Sequence, residues 1–78
     1  MRIVDLVDVR NRGVIAILSE LADGDDANLL GRYVHQEDKT WRIIGVEWPI
    51  NPNFRGVMLE LKQNGRPEIG DASLGGAR

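Results

Sequence analysis

Few side chains in this sequence are capable of acid–base or nucleophilic chemistry. His35 is the single histidine, Ser19, Ser73 and Thr40 are the only aliphatic hydroxyls, and cysteine is absent. A histidine acts as a general base when a nucleophile lies within hydrogen-bond reach. No such partner is spaced near His35, which is expected to be a half-exposed strand residue. Lack of cysteine removes disulfides, thiolate zinc sites and thiol nucleophiles together, and fits a reducing compartment. Asp23-Gly24-Asp25-Asp26 clusters carboxylates of the kind that take hard cations. The EF-hand pattern fails there, with Ala27 at the third ligand position and Val34 at the bidentate one, so a solvated loop is expected. The chain therefore reads as non-enzymatic, with no catalytic residue, no metal and no cofactor.

Binding chemistry has better candidates. Trp41, Trp48, Tyr33 and Phe54 are all the aromatic residues. Trp48 leads into a loop that runs from Pro49 to Gly56, stiffened by Pro49 and Pro52 and presenting Ile50, Asn53, Phe54 and Arg55. Restricted loops lose less entropy on docking. Large aromatics and arginine are the usual anchors of interfaces. The alternative is a structural crossover in which Phe54 plugs a barrel end, and Trp41 and Trp48 fill the core. Arg10 and Arg12 flank Asn11 in a turn and form a second candidate flank, able to contact phosphate or to pair locally with Asp5 and Asp8. Folding is also a route to gathering Arg10, Arg12, Arg42 and Arg55 on one side.

Ten Lys and Arg against twelve Asp and Glu leave a net charge of −2 in 78 residues. No basic run of the sort that marks nucleic-acid binding stands out. Domains of this size bury only about 60% of the surface their unfolded chains expose, so stability margins are small. A single domain over 1–74 with a flexible tail over 75–78 is expected. No apolar run reaches the roughly 20 residues that a membrane helix needs. An acid at position 5 comes too early for a signal peptide. A cytoplasmic location without membrane attachment is the expectation.

The elements that must position these residues read as strands. Arg2–Val9 is rich in Val, Ile and Leu, and Asn11-Arg12-Gly13 is a turn signal. Val14–Leu18 is a continuous apolar run whose β-branched start favours a strand, although Val14, Ile17, Leu18 and Leu21 also fit helical spacing. Leu30–His35 follows as a strand, Glu37-Asp38-Lys39 as a turn, and Thr40–Trp48 as a strand with Trp41 and Ile43 on one face and Arg42, Ile44, Val46 and Trp48 on the other. Val57, Leu59 and Leu61 alternate toward a core. Asn64-Gly65 is the strongest hairpin signal, and Ile69–Leu74 is a last short strand. About six short strands with turns at this spacing predict an all-β fold, a small closed or partly open barrel.

The order of motifs resembles the second, β-barrel domain of translational GTPases of the elongation factor Tu kind. The likeness is carried by Val7-Asp8-Val9 with Asn11-Arg12-Gly13-Val14-Ile15-Ala16, by Leu29-Leu30-Gly31-Arg32-Tyr33-Val34, by Trp41-Arg42-Ile43-Ile44-Gly45-Val46-Glu47 and by Glu68-Ile69-Gly70-Asp71. Arg32 stands where that family usually has Asp. The resemblance implies the barrel without the GTPase's nucleotide-binding domain, whose phosphate-cradling loop this chain lacks. A binding module with a protein partner is the leading expectation. The alternatives are an RNA- or ribosome-contacting module, and one domain of a larger translation-factor-like protein.

Overall fold

The computed structural model describes residues 1–22, 24, 28–47, 51, 53–62 and 64–76. Seven strands form one antiparallel sheet: β1 (Arg2–Val9), β2 (Gly13–Ser19), β3 (Tyr33–Gln36), β4 (Lys39–Glu47), β5 (Arg55–Glu60), β6 (Gly70–Asp71) and β7 (Ser73–Gly75). Their order across the sheet is β6-β1-β2-β5-β4-β3-β7. The two outermost strands, β6 and β7, are consecutive pieces of one segment hinged at Ala72. β6 pairs with β1 and β7 with β3, so this segment brings the two ends of the sheet together as a nearly closed barrel. Ala72 and Met1 exchange backbone hydrogen bonds of 3.1 and 3.3 Å at the seam. No helix long and apolar enough to cross a membrane occurs among the described residues.

Alternation sorts the side chains. Val14, Ala16 and Leu18 of β2, and Val57 and Leu59 of β5, point inward and are fully buried. Ile3, Val34, Trp41 and Ile43 complete the wall, and Leu29 enters from the β2–β3 connection. The strand alternative for Val14–Leu18 is the one adopted.

Two register shifts bend the sheet, between Ile3 and Asp5 in β1 and between Ile43 and Gly45 in β4. The second corrects the expected face of β4. Strict alternation puts Val46 with Arg42 and Ile44, but Ile44 is the extra residue of the bulge, so it stays outward while Val46 returns to the core side, opposite Val57. A bulge adds local twist, which a short sheet needs in order to close.

Turn chemistry agrees at the β1–β2 hairpin. Arg12 N–H donates to Val9 O at 3.0 Å, and Asn11 holds φ 62°. Gly13, at φ 136°, lies so close to β5 that a Cβ there would sit 2.4 Å from the Leu59 carbonyl oxygen. Two other expectations need correction. β3 begins at Tyr33 rather than Leu30, because Leu29–Arg32 is a turn with Gly31 at φ 84° and a 3.1 Å bond from Arg32 N–H to Leu29 O. Asn64-Gly65 joins no hairpin, since β5 lies between β2 and β4 while the next strand, β6, pairs with β1. Segment 61–69 instead crosses the barrel mouth. Trp41 Nε1 donates to Gly65 O at 2.7 Å, and Asn64 Nδ2 donates to Thr40 O at 2.7 Å. The amide of Gln36 both donates to Glu68 O (2.6 Å) and accepts from Glu68 N–H (2.8 Å). The barrel also extends one residue beyond the expected boundary at 74, since Gly75 is in β7.

Leu59→Ala is expected to lower stability by about 2–5 kcal/mol, the range for deleting a fully buried leucine side chain. Gly13→Ala combines a left-handed backbone with a clash against fixed backbone and is expected to cost about 2 kcal/mol or more. Urea denaturation of both variants checks the register. Wild-type midpoints in either would mean that the β2–β5 pairing is misplaced.

Candidate functional site

The barrel has two distinct ends. One carries the β1–β2 turn, the β3–β4 turn and segment 61–69; the other carries Met1 and the β2–β3 and β4–β5 connections. This separates the expected binding residues. Arg10 and Arg12 are exposed in the β1–β2 turn, next to the Val14–Leu59 pair, whereas Arg55 pairs with Leu18 at the opposite end. The four-residue offset between those pairs is about 13 Å of strand, so Arg10 and Arg12 do not flank Arg55.

Trp48 and Ile50 lie outside the described residues, as do Asp23, Asp25 and Asp26 of the acidic loop. No cluster of three or more metal-ligating side chains occurs among the described residues. Asn53 is exposed in a compact turn, where its N–H donates to Asn51 Oδ1 at 2.9 Å and Phe54 N–H donates to Asn51 O at 3.1 Å. Phe54 and Arg55 are half-buried, and Arg55 Nη1 is held by the Phe54 carbonyl at 2.8 Å. That hydrogen bond ties the guanidinium back to its own loop. Trp41 is buried, and Arg32 is 6% exposed.

A groove lies on the outer face of β3, β4 and β5, toward the turn end. It measures about 410 Å³ and is lined by Tyr33, Thr40, Arg42, Glu60, Lys62 and Asn64. Strand register assembles it. Tyr33 is opposite Arg42, and Arg42 is opposite Glu60, so the three share one outward row. One step along, His35 is opposite Thr40, and their side chains share a 2.9 Å hydrogen bond between Nδ1 and Oγ1. Lys62 Nζ lies 3.5 Å from Glu60 Oε1. Arg42 forms no side-chain hydrogen bond or ion pair among the described residues, and neither do Arg10, Arg12 and Lys39 at the same end. Arg66 is the contrast, paired with Asp8 at 3.1 Å. A second basin of about 390 Å³ is lined by the turn residues Asp8 to Gly13 and by Leu61.

The rings are seated on the last strand. A Cβ at Gly75 would fall 2.1 Å from His35 Nε2, and one at Gly76 would fall 2.9 Å from Tyr33 Cδ2. Each ring therefore rests on glycine backbone, and the tyrosine, 38% exposed, keeps part of its surface to solvent. The remaining outer surface is different in kind. Val7, Ile15 and Met58 form an apolar row across β1, β2 and β5, bounded by Asp5 and Glu47 in the next row.

Sequence reasoning placed the site on the β4–β5 loop, named Tyr33 only among the aromatics and Arg42 only among the arginines that folding could gather, and passed over Glu60 and Lys62. Tyr33 and Arg42 carried a findable signal, since a two-residue turn at Glu37-Asp38 sets them opposite each other. Gly75→Ala is expected to displace the His35 ring and break its bond to Thr40. The His35 and Tyr33 ring proton shifts in NMR spectra read this directly, and unmoved rings would show that they do not lie on β7.

Comparison with protein-family models, with curated proteins and with solved structures returned no match.

Proposed function

We propose that this chain is a non-enzymatic binding module whose partner is a protein, engaged through the outer face of β3, β4 and β5. The observation that carries this reading is the exposed Tyr33–Arg42–Glu60 row. Tyrosine and arginine dominate interface hot spots because they offer large contact area and planar, multi-donor chemistry. Here both stand on paired strands rather than on a loop, so docking orders little that is not already ordered. His35 supports the same reading, because its ring is engaged with the Thr40 hydroxyl and packed over Gly75, as expected of a structural side chain. The barrel topology is compatible with the translational GTPase resemblance, which rests on the sequence motifs alone.

An RNA-contacting role is a second reading, favoured by one observation: Arg10, Arg12, Lys39 and Arg42, all unpaired among the described residues, lie toward the same end of the barrel. The overall charge of −2 weighs against it, since nucleic-acid affinity is driven largely by phosphate neutralisation.

The immobilised full chain, incubated with extract of its source cells with and without nuclease treatment, is expected to retain a protein partner from both. Tyr33→Ala should reduce retention by about tenfold without lowering the melting temperature. Equal retention by the variant would place the site elsewhere. Retention that nuclease abolishes, and that falls steeply with added salt, would replace the protein reading with RNA.

A further inference from the structure

The charges of the groove follow from register and sequence: Arg42 of β4 is opposite Glu60 at the end of β5, and Lys62 comes two residues later in the chain. Glu60 already engages Lys62, whereas Arg42 makes no side-chain ion pair among the described residues. A free guanidinium presents a planar fork that matches a carboxylate in bidentate fashion. Directly opposite it on β3 stands Tyr33, its ring backed by Gly76. Side chains directly opposite on neighbouring strands lie about 5 Å apart at Cβ. One ligand segment therefore reaches both, placing an acid on Arg42 and an apolar or aromatic side chain on Tyr33. The central Glu60 discriminates among anions. A run of phosphates laid along the groove would meet its carboxylate, while a peptide offers backbone N–H groups that it can accept. Arg10 and Arg12, unpaired among the described residues and lining the second basin, add long-range attraction for an acidic chain.

Resting on the protein-binding reading, we infer that this groove receives an acidic segment of the partner protein, with a partner carboxylate on Arg42 and an apolar or aromatic residue on Tyr33.

The test uses the full chain and three probes: a peptide of alternating Glu and Phe, the same peptide with Gln in place of Glu, and an oligo-uridylate of equal length. Binding is followed by NMR chemical shifts. The Glu peptide is expected to give saturable shifts confined to Tyr33, Thr40, Arg42 and Lys62. The Gln peptide should bind about tenfold more weakly, the scale of one lost charge-assisted contact. Arg42→Gln should weaken the Glu peptide to the same extent and leave the Gln peptide unchanged, a pattern that a merely structural role for Arg42 does not give. Three results overturn the inference: equal affinity for the Glu and Gln peptides, shifts centred on Arg10 and Arg12 instead, or tighter binding of oligo-uridylate in the groove. The broader reading fails separately, when partner capture is indifferent to Tyr33→Ala. Capture that depends on Tyr33 while the Glu peptide does not bind removes the acidic-segment inference alone.

Discussion

Everything in this fold depends on one short segment pairing on both of its sides. Residues 70–75 hydrogen-bond β1 through Gly70–Asp71 and β3 through Ser73–Gly75, and among the described residues no other segment reaches both neighbours. A chain of 78 residues has a core too small to tolerate two open sheet edges, each a row of unsatisfied backbone groups. The segment covers the β3 edge and the first two residues of the β1 edge at the cost of bending the sheet, and the bending is supplied by the two register shifts in β1 and β4. The seam itself is short, and side chains reinforce it. Arg2 pairs with Asp71 at 2.8 Å, and Gln36 holds Glu68 from across the mouth. The exposed Arg2–Asp71 pair contributes little by itself. The Gln36 amide does more, because it satisfies a backbone donor and a backbone acceptor in a segment that has left the sheet.

What was legible in the sequence was whatever depends on local periodicity. β1, β2, β4 and β5 announce themselves through β-branched residues and alternation, and the core face of Val57 and Leu59 follows from period two. The errors cluster where a tertiary contact overrides the local rule. Val46 reads as outward until Ile44 is recognised as an extra residue in a bulge, and a bulge is defined by the partner strand, β5. Asn64-Gly65 has the composition of a hairpin turn. Its Gly65 does take positive φ (72°), yet the strand that follows belongs to the far side of the barrel. The glycine serves the same conformational purpose in a crossing segment, where its carbonyl accepts the Trp41 indole N–H.

The candidate site failed to show in the sequence for a related reason. Tyr33, Arg42 and Glu60 are far apart along the chain and fall into one row only when β3 pairs with β4 and β4 with β5. Proline content and aromatic clustering drew attention to the β4–β5 loop instead, because those signals are contiguous. In the fold, Arg55 of that loop is turned back on the Phe54 carbonyl and Phe54 is half-buried, while Trp48 and Ile50 lie outside the described residues.

Closure and the groove are therefore one structural event. Gly75 and Gly76 let the last strand pass beneath His35 and Tyr33, where any Cβ would strike the rings. The same contact that seals the barrel fixes the tyrosine beside Arg42 and holds the imidazole against Thr40. A groove built this way is rigid only while β7 stays paired, and β7 is three residues long. Short terminal strands are the elements that open first in local unfolding. Loss of β7 would remove the glycine backing from Tyr33 and expose the β3 edge at once, so the affinity of the groove is tied to the integrity of the seam. Removing the residues from Ser73 onward, at a concentration where β1–β5 remain folded by circular dichroism, is expected to weaken a Tyr33-dependent ligand even though Ser73–Gly76 do not line the groove. Unchanged affinity in that truncation would mean that the groove is held by β3, β4 and β5 alone.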